Sequence, residues 1–185
     1  MNLWLRLFWY LATAWRRPKL ESTHAVSILP LRVWPTDLDV SMHMYNGRYL
    51  AIMDLGRLDF MVRTGLWRPL VRNGWTPIAN GIAIRFRREL RMFDRYTLET
   101  KLLAWSDVTV VMEQILRFAS GPRTGQVASR ALFKGGLYDR KAIAFLPVAR
   151  LMRDRCRGRR AAADARRGSV PEVGRGDQGG EIVRS

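Results

Sequence analysis

One stretch of helical spacing followed by four stretches of alternation leaves this chain few architectures. From about Asn46 to Thr64, the residues Tyr49, Leu50, Met53, Leu58, Met61 and Val62 recur at the spacing of one helix face. Gly56 inside that stretch costs about 1 kcal/mol against alanine, which makes sense where a helix must approach a sheet closely. Gly65 reads as a C-terminal stop. A second short helical piece, Leu66 to Arg72, ends at Asn73-Gly74. The chain then alternates. Ile82, Ile84 and Phe86 share one face of a strand, and Tyr96, Leu98, Thr100, Leu102 and Ala104 share one face of the next. Val108, Val110, Met112, Leu116 and Phe118 line a third, interrupted only by Gln114, and Val127, Ala131, Phe133 and Leu137 line a fourth. Turn residues fall at Met92–Arg95, at Ser106-Asp107 and from Gly121-Pro122 to Gly125. Ahead of the helix, Ala25 to Trp34 is strand-like, and Pro30 within it points to an edge or a bulge. The order strand, helix, four strands predicts an α+β fold with one helix against one face of a curled antiparallel sheet.

The length of 185 residues fits one domain able to bury a core without metal or disulfide staples. The single cysteine, Cys156, cannot form an internal disulfide. His24 and His43 lie far apart with no C-x-x-C near them, so no zinc site is expected. The net charge is +16. It is densest at the two ends: residues 1–19 carry four basic side chains and no acidic ones. Such a surface draws polyanions: nucleic acid, an anionic membrane or a phosphate-bearing ligand such as coenzyme A. An Arg-rich, merely solvated surface explains the same composition. No nucleic-acid-binding motif accompanies the charge, so nucleic acid is not expected as a partner.

The chain divides into an N-terminal amphipathic segment at 1–19, a folded domain at 20–150, and a basic tail at 151–185 that is expected to be disordered. The apolar run from Leu3 to Trp15 is too short to span a bilayer, which takes roughly 20 residues. Ala12-Thr13-Ala14 resembles a signal cleavage site, but no positive charge precedes the apolar run. An aromatic-rich segment closed by Arg16, Arg17 and Lys19 fits a helix lying in a membrane interface. The alternative is a helix docked on the protein's own body. The expected location is the cytoplasm, with peripheral contact at the inner membrane face through residues 3–15.

Chemistry concentrates where the first strand gives way to the helix. Asp39, His43 and Asn46 crowd the helix N-terminus, where unpaired backbone N–H groups and a partial positive charge can polarise a carbonyl. A carboxylate a few residues earlier can act as general base toward water or attack the carbonyl itself. His43 or Asn46 can hold water or substrate. Taken singly, Asn46 can be only a helix cap and Asp37 only a turn residue.

This segment resembles the signature of the hotdog-fold thioesterases related to 4-hydroxybenzoyl-CoA thioesterase. In that family D-x-D-x-x-G-H-hydrophobic-N-N-x-x-Y opens the central helix. Here it reads Asp37-Leu38-Asp39, then His43-Met44-Tyr45-Asn46, then Tyr49. The following helix, with Asp54-Leu55-Gly56-Arg57-Leu58-Asp59, and the strand Ile84-Arg85-Phe86-Arg87-Arg88 resemble the thioesterase-like branch. The likeness covers roughly residues 25–140. It implies a curled sheet wrapped around one helix and a homodimer or homotetramer with active sites at the subunit interface. It also implies acyl-CoA hydrolysis by water, with no metal or organic cofactor. The second aspartate, Asp39, would be the catalytic carboxylate, assisted by His43 and Asn46. Asp37, Tyr45, Gly47 and Tyr49 would contact substrate. Arg85, Arg87 and Arg88 are candidates to attract the CoA phosphates by charge alone.

Two positions depart from the signature. Met42 stands where the family has glycine, which often supplies a positive φ or room for close approach. Tyr45 stands where it has the first asparagine, and its phenol can still donate a hydrogen bond. These departures leave open a non-catalytic acyl-binding or membrane-associated scaffold.

Overall fold

The computed structural model of the protein describes residues 3–14 and 16–156. Helix α1 (Leu3–Ala14) is followed by β1 (Ser27–Arg32) and a single 3-10 turn, Pro35–Asp37. Helices α2 (Asn46–Thr64) and α3 (Trp67–Asn73) come next. Strands β2 (Trp75–Phe86), β3 (Arg95–Trp105), β4 (Val110–Phe118), β5 (Val127–Asp139) and β6 (Ala144–Leu146) follow. A last helix, α4, occupies 148–156. The main strands pair antiparallel in the order β1-β3-β4-β5-β2, and β6 joins β5. Pro30 lies in β1, an edge strand paired only with β3, where its missing N–H disturbs no inner ladder.

The sheet curls around α2, which is buried on several sides: Tyr49, Ile52, Met53, Leu55, Gly56 and Phe60 all lie inside. Gly56 is the point of closest approach. A Cβ there would collide with the Leu98 side chain and stand 2.9 Å from Thr100 Oγ1, both on β3. Neither neighbour has room to move, because Leu98 and Thr100 are fully buried. Gly56→Ala is therefore expected to destabilise the fold by about 1–3 kcal/mol, although alanine is the better helix former by about 1 kcal/mol. The check is the urea midpoint at unchanged slope; an equal or higher midpoint would show that β3 yields to a methyl group.

Two boundaries differ from expectation. Strand β2 begins at Trp75, well ahead of Ile82. The added stretch holds Pro77 and Asn80-Gly81, which an edge strand tolerates because its register shifts between Ala79 and Gly81 and a bulge absorbs them. The expected tail start at 151 falls inside α4, whose Val148 and Leu151 are buried. Leu151 packs in a core cluster with Phe60, Trp75, Phe133 and Leu146. The remainder of the expected tail, 157–185, lies outside the described residues.

Helix α1 docks on the body by one face and leaves another bare. Tyr10 is buried, and Leu7 packs against the core that α2 and the sheet share. Phe8 and Trp9 are 75% and 69% exposed. The docking contact centres on Asp59 of α2, which is wholly buried. Its carboxylate accepts a hydrogen bond from the Ser27 hydroxyl and faces Arg63 at 3.4 Å and Arg17 at 3.7 Å. Burial, and then the charge of Asp59, push the Tyr10 phenol well above its ordinary pKa. No helix among the described residues is long and apolar enough to cross a membrane.

Candidate active site

The segment from Asp37 to Tyr45 folds into a tight reversal that carries the signature residues. Leu38 and Met44 form a bridge across it. Its backbone is closed by Asp39 N–H to His43 O at 2.9 Å, Met42 N–H to Asp39 O at 3.1 Å, and Tyr45 N–H to Asp37 O at 3.1 Å. The reversal is anchored to the β2–β3 connection by Met44 N–H to Leu90 O at 2.8 Å and by a bridge between His43 and Arg91.

Met42 takes φ 60 at the turn. This is the left-handed conformation that the family glycine would adopt without strain. The strain of the turn is thus carried by Met42, whose side chain is 58% exposed. Met42→Gly is expected to raise stability by about 0.5–1 kcal/mol, the relief of left-handed strain less glycine's entropy. This corresponds to a thermal midpoint higher by about 1–4 °C. A lower midpoint would mean that the methionine side chain contributes packing that outweighs the strain.

Asp39 and His43 come together. Asp39 Oδ2 lies 3.2 Å from His43 Nδ1, and Asp39 Oδ1 accepts the Ser41 N–H at 2.9 Å. Both side chains are 30% exposed, so solvent and substrate can reach them. His43 Nδ1 also faces Met44 O at 3.5 Å. With two acceptors before it, Nδ1 is assigned the proton in the neutral ring, which leaves Nε2 as an acceptor.

Helix α2 starts just beyond this pair, at Asn46. Its first-turn N–H groups, those of Asn46 and Gly47 among them, have no acceptor within the helix. The N-cap is Tyr45 rather than Asn46, and no side chain caps the helix. The exposed Asn46 amide is therefore not consumed as a cap. The Tyr45 ring lies against Gly47, where a Cβ would collide with it, and under the Arg48 guanidinium at 5.5 Å.

Asp37 and Tyr49, expected to contact substrate, are buried instead. Asp37 accepts the Trp34 N–H at 2.9 Å and pairs with Arg48 Nε at 3.1 Å, which ties the 3-10 turn to α2. Tyr49 packs edge-on to Phe86 at 5.0 Å, and its hydroxyl accepts the Leu90 N–H at 3.4 Å. Burial raises its pKa. These two residues hold the loop that presents Asp39. The sequence reading passed over Arg48 and Arg91. Arg48 stood within the signature, four residues before Ile52 of the buried helix face; Arg91 meets His43 only through the fold. Arg85, Arg87 and Arg88 are exposed along the end of β2 and the chain just after it.

A sequence model of the Thioesterase-like superfamily matches residues 33–166. The chain belongs to that superfamily. The match takes in the Asp37–Tyr49 signature and the sheet that wraps α2. Among curated proteins, Protein THEM6 of Xenopus laevis is 38% identical over 82 residues, covering 44% of this chain and 40% of that protein. Protein THEM6 of Danio rerio is 28% identical over 116 residues, covering 63% and 56%. The chain thus spans about half or less of the length of these relatives. Among solved structures, YbaW, a probable thioesterase from Escherichia coli, superposes with a TM-score of 0.63 at 22% identity, covering 70% of this chain and 95% of that one. A DHNA-CoA thioesterase from Staphylococcus aureus gives 0.61 at 13% identity, covering 79% and 97%. The fold is the hotdog fold, a curled antiparallel sheet around a central helix. Membership of the superfamily supports thioester hydrolysis as the general reaction class.

Proposed function

We propose that this member of the superfamily hydrolyses acyl-CoA thioesters to the free acid and CoA, with Asp39 as the reactive carboxylate. The observation that carries this reading is the half-exposed Asp39–His43 pair immediately before the N-terminus of α2. In the general-base route, Asp39 removes a proton from water as the water oxygen adds to the thioester carbonyl. The N–H groups of the first turn of α2 stabilise the oxyanion. The C–S bond then breaks, and the proton returns from Asp39 to the departing thiolate. His43 holds the carboxylate, and Asn46 orients substrate. In the nucleophilic route Asp39 attacks the carbonyl directly, the C–S bond breaks to expel the CoA thiolate, which takes a proton from solvent, and water hydrolyses the resulting anhydride to free acid and Asp39.

A second assignment follows from the His43 tautomer. With Nδ1–H directed at Asp39, Nε2 can accept the proton of water while Asp39 orients the ring. Substitution of His43 separates the two: if it only positions Asp39, His43→Gln should retain measurable turnover.

The CoA phosphates are assigned to the exposed Arg85, Arg87 and Arg88, because the segment that follows them reaches Arg91, which bridges to His43. A homodimer or homotetramer is the proposed assembly. The outer edge of β2 is unpaired among the described residues and exposes Ile82 and Phe86, and a second copy can pair with it. Peripheral contact with the inner membrane face from the cytoplasm is proposed for residues 3–15, supported by exposed Phe8 and Trp9 beside Arg16 and Lys19. The test of function is an acyl-CoA panel with detection of the released thiol. Turnover supports the hydrolase; saturable binding without turnover supports a non-catalytic scaffold.

A further inference from the structure

Away from Asp39, α1 and β1 enclose a groove of about 350 Å³. Trp9, Trp34 and Leu55 form apolar walls, and Arg17, Arg32 and Arg95 stand among the lining residues. Among the described residues no acidic one lines it, and neither Asp39, His43 nor Asn46 reaches it. We propose that this groove is a second, non-catalytic site that binds a straight-chain fatty acid, with the chain between the two tryptophans and the carboxylate on the arginines.

Size, charge and construction all favour that ligand. The volume is at the low end of the roughly 300–1,000 Å³ typical of ligand pockets, which suits a single acyl chain and is small for a whole CoA thioester. Arg17 already faces Asp59 at 3.7 Å, so the exposed Arg95, beside Arg32 in the lining, is the charge that favours an anionic head over a neutral one. Guanidinium matches carboxylate geometry with paired N–H donors. Arg95 is exposed, and its side chain forms no ion pair among the described residues, so it is available to a ligand. Arg32 is pre-set: it donates to Phe93 O at 3.2 Å and stacks over Phe93 at 4.9 Å and Trp34 at 5.8 Å.

Docked α1 supplies one side of the groove through Trp9 and Tyr10. Tyr10 and Arg17, which meet Asp59 beneath α1, also line the groove. Both, like Trp9, lie outside residues 33–166, the part shared with the superfamily. The N-terminal segment thus completes the site, and the proposal does not rest on hydrolysis at Asp39.

The experiment is calorimetric titration of the full-length protein with sodium dodecanoate below its micelle concentration, with dodecan-1-ol as the uncharged control. Saturable binding is expected, weaker for the alcohol. Arg95→Glu and Trp9→Ala each change an exposed side chain and should weaken dodecanoate binding by about tenfold or more, as loss of a charge-assisted contact or an aromatic wall implies. Asp39→Asn should leave it unchanged. The proposal is overturned if the parent protein does not bind dodecanoate, if binding survives both groove substitutions, or if it disappears in Asp39→Asn, which would move the ligand to the loop before α2.

Discussion

Replacing Asp39 by asparagine is expected to lower kcat/KM for the best acyl-CoA substrate by about 10²–10⁴-fold, the usual contribution of a positioned general base. The substitution keeps shape and can still accept from the Ser41 N–H that now meets Asp39 Oδ1. It removes the negative charge facing His43 Nδ1 at 3.2 Å and the lone pair proposed to take the proton of water. Because Asp39 is partly exposed and outside the core, the thermal midpoint should move little. The decisive readout is therefore a large loss of turnover at nearly constant stability. Full activity in Asp39→Asn would refute the assignment of this carboxylate in either route.

Gln114→Leu is expected to destabilise the domain by about 3 kcal/mol, although leucine is apolar, similar in size and set in an otherwise apolar strand face. Gln114 is wholly buried. Its Oε1 accepts Arg57 Nη1 at 2.7 Å, and its Nε2 donates to Met53 O at 2.8 Å and Thr100 Oγ1 at 3.2 Å. Leucine would take one hydrogen bond from each of the three partners. Arg57 suffers most. Burial already lowers its pKa, offset in part by Asp54, and its guanidinium lies 4.2 Å from the Phe133 ring centroid. Arg57 and Met53 flank Gly56, so this network fastens α2 to the sheet where the two come closest. Urea unfolding would measure the loss; a change below about 1 kcal/mol would mean that Arg57 escapes to solvent and the network contributes little.

That network marks the limit of what the sequence could disclose. Gln114 appeared there only as an interruption, because its partners lie on α2 and β3, and pairings between distant segments leave no local period. Where local chemistry decides structure, the reading agrees with the fold. Helix α2 runs from Asn46 to Thr64 and stops at Gly65, whose φ of 83 is the conformation glycine accepts. Alternation located β3, β4 and β5, and the proline in β1 pointed to an edge or a bulge, of which the fold has the edge. Helix α4 was not anticipated: its Val148 and Leu151 stand among arginines, and their burial depends on a core formed by other elements. In the loop before α2, spacing brought Asp39 and His43 to notice together. It did not separate them from Asp37 and Tyr49, whose burial follows from Arg48, Leu90 and Phe86 closing over them.

The most direct test of the account is steady-state release of CoA thiol by the purified full-length protein across straight-chain and aromatic acyl-CoAs. The account predicts saturable turnover, with kcat/KM of at least about 10⁴ M⁻¹s⁻¹ for the best substrate, and equal amounts of CoA and free acid. No release above the buffer rate for any acyl-CoA, from a folded protein that still binds them, would contradict it.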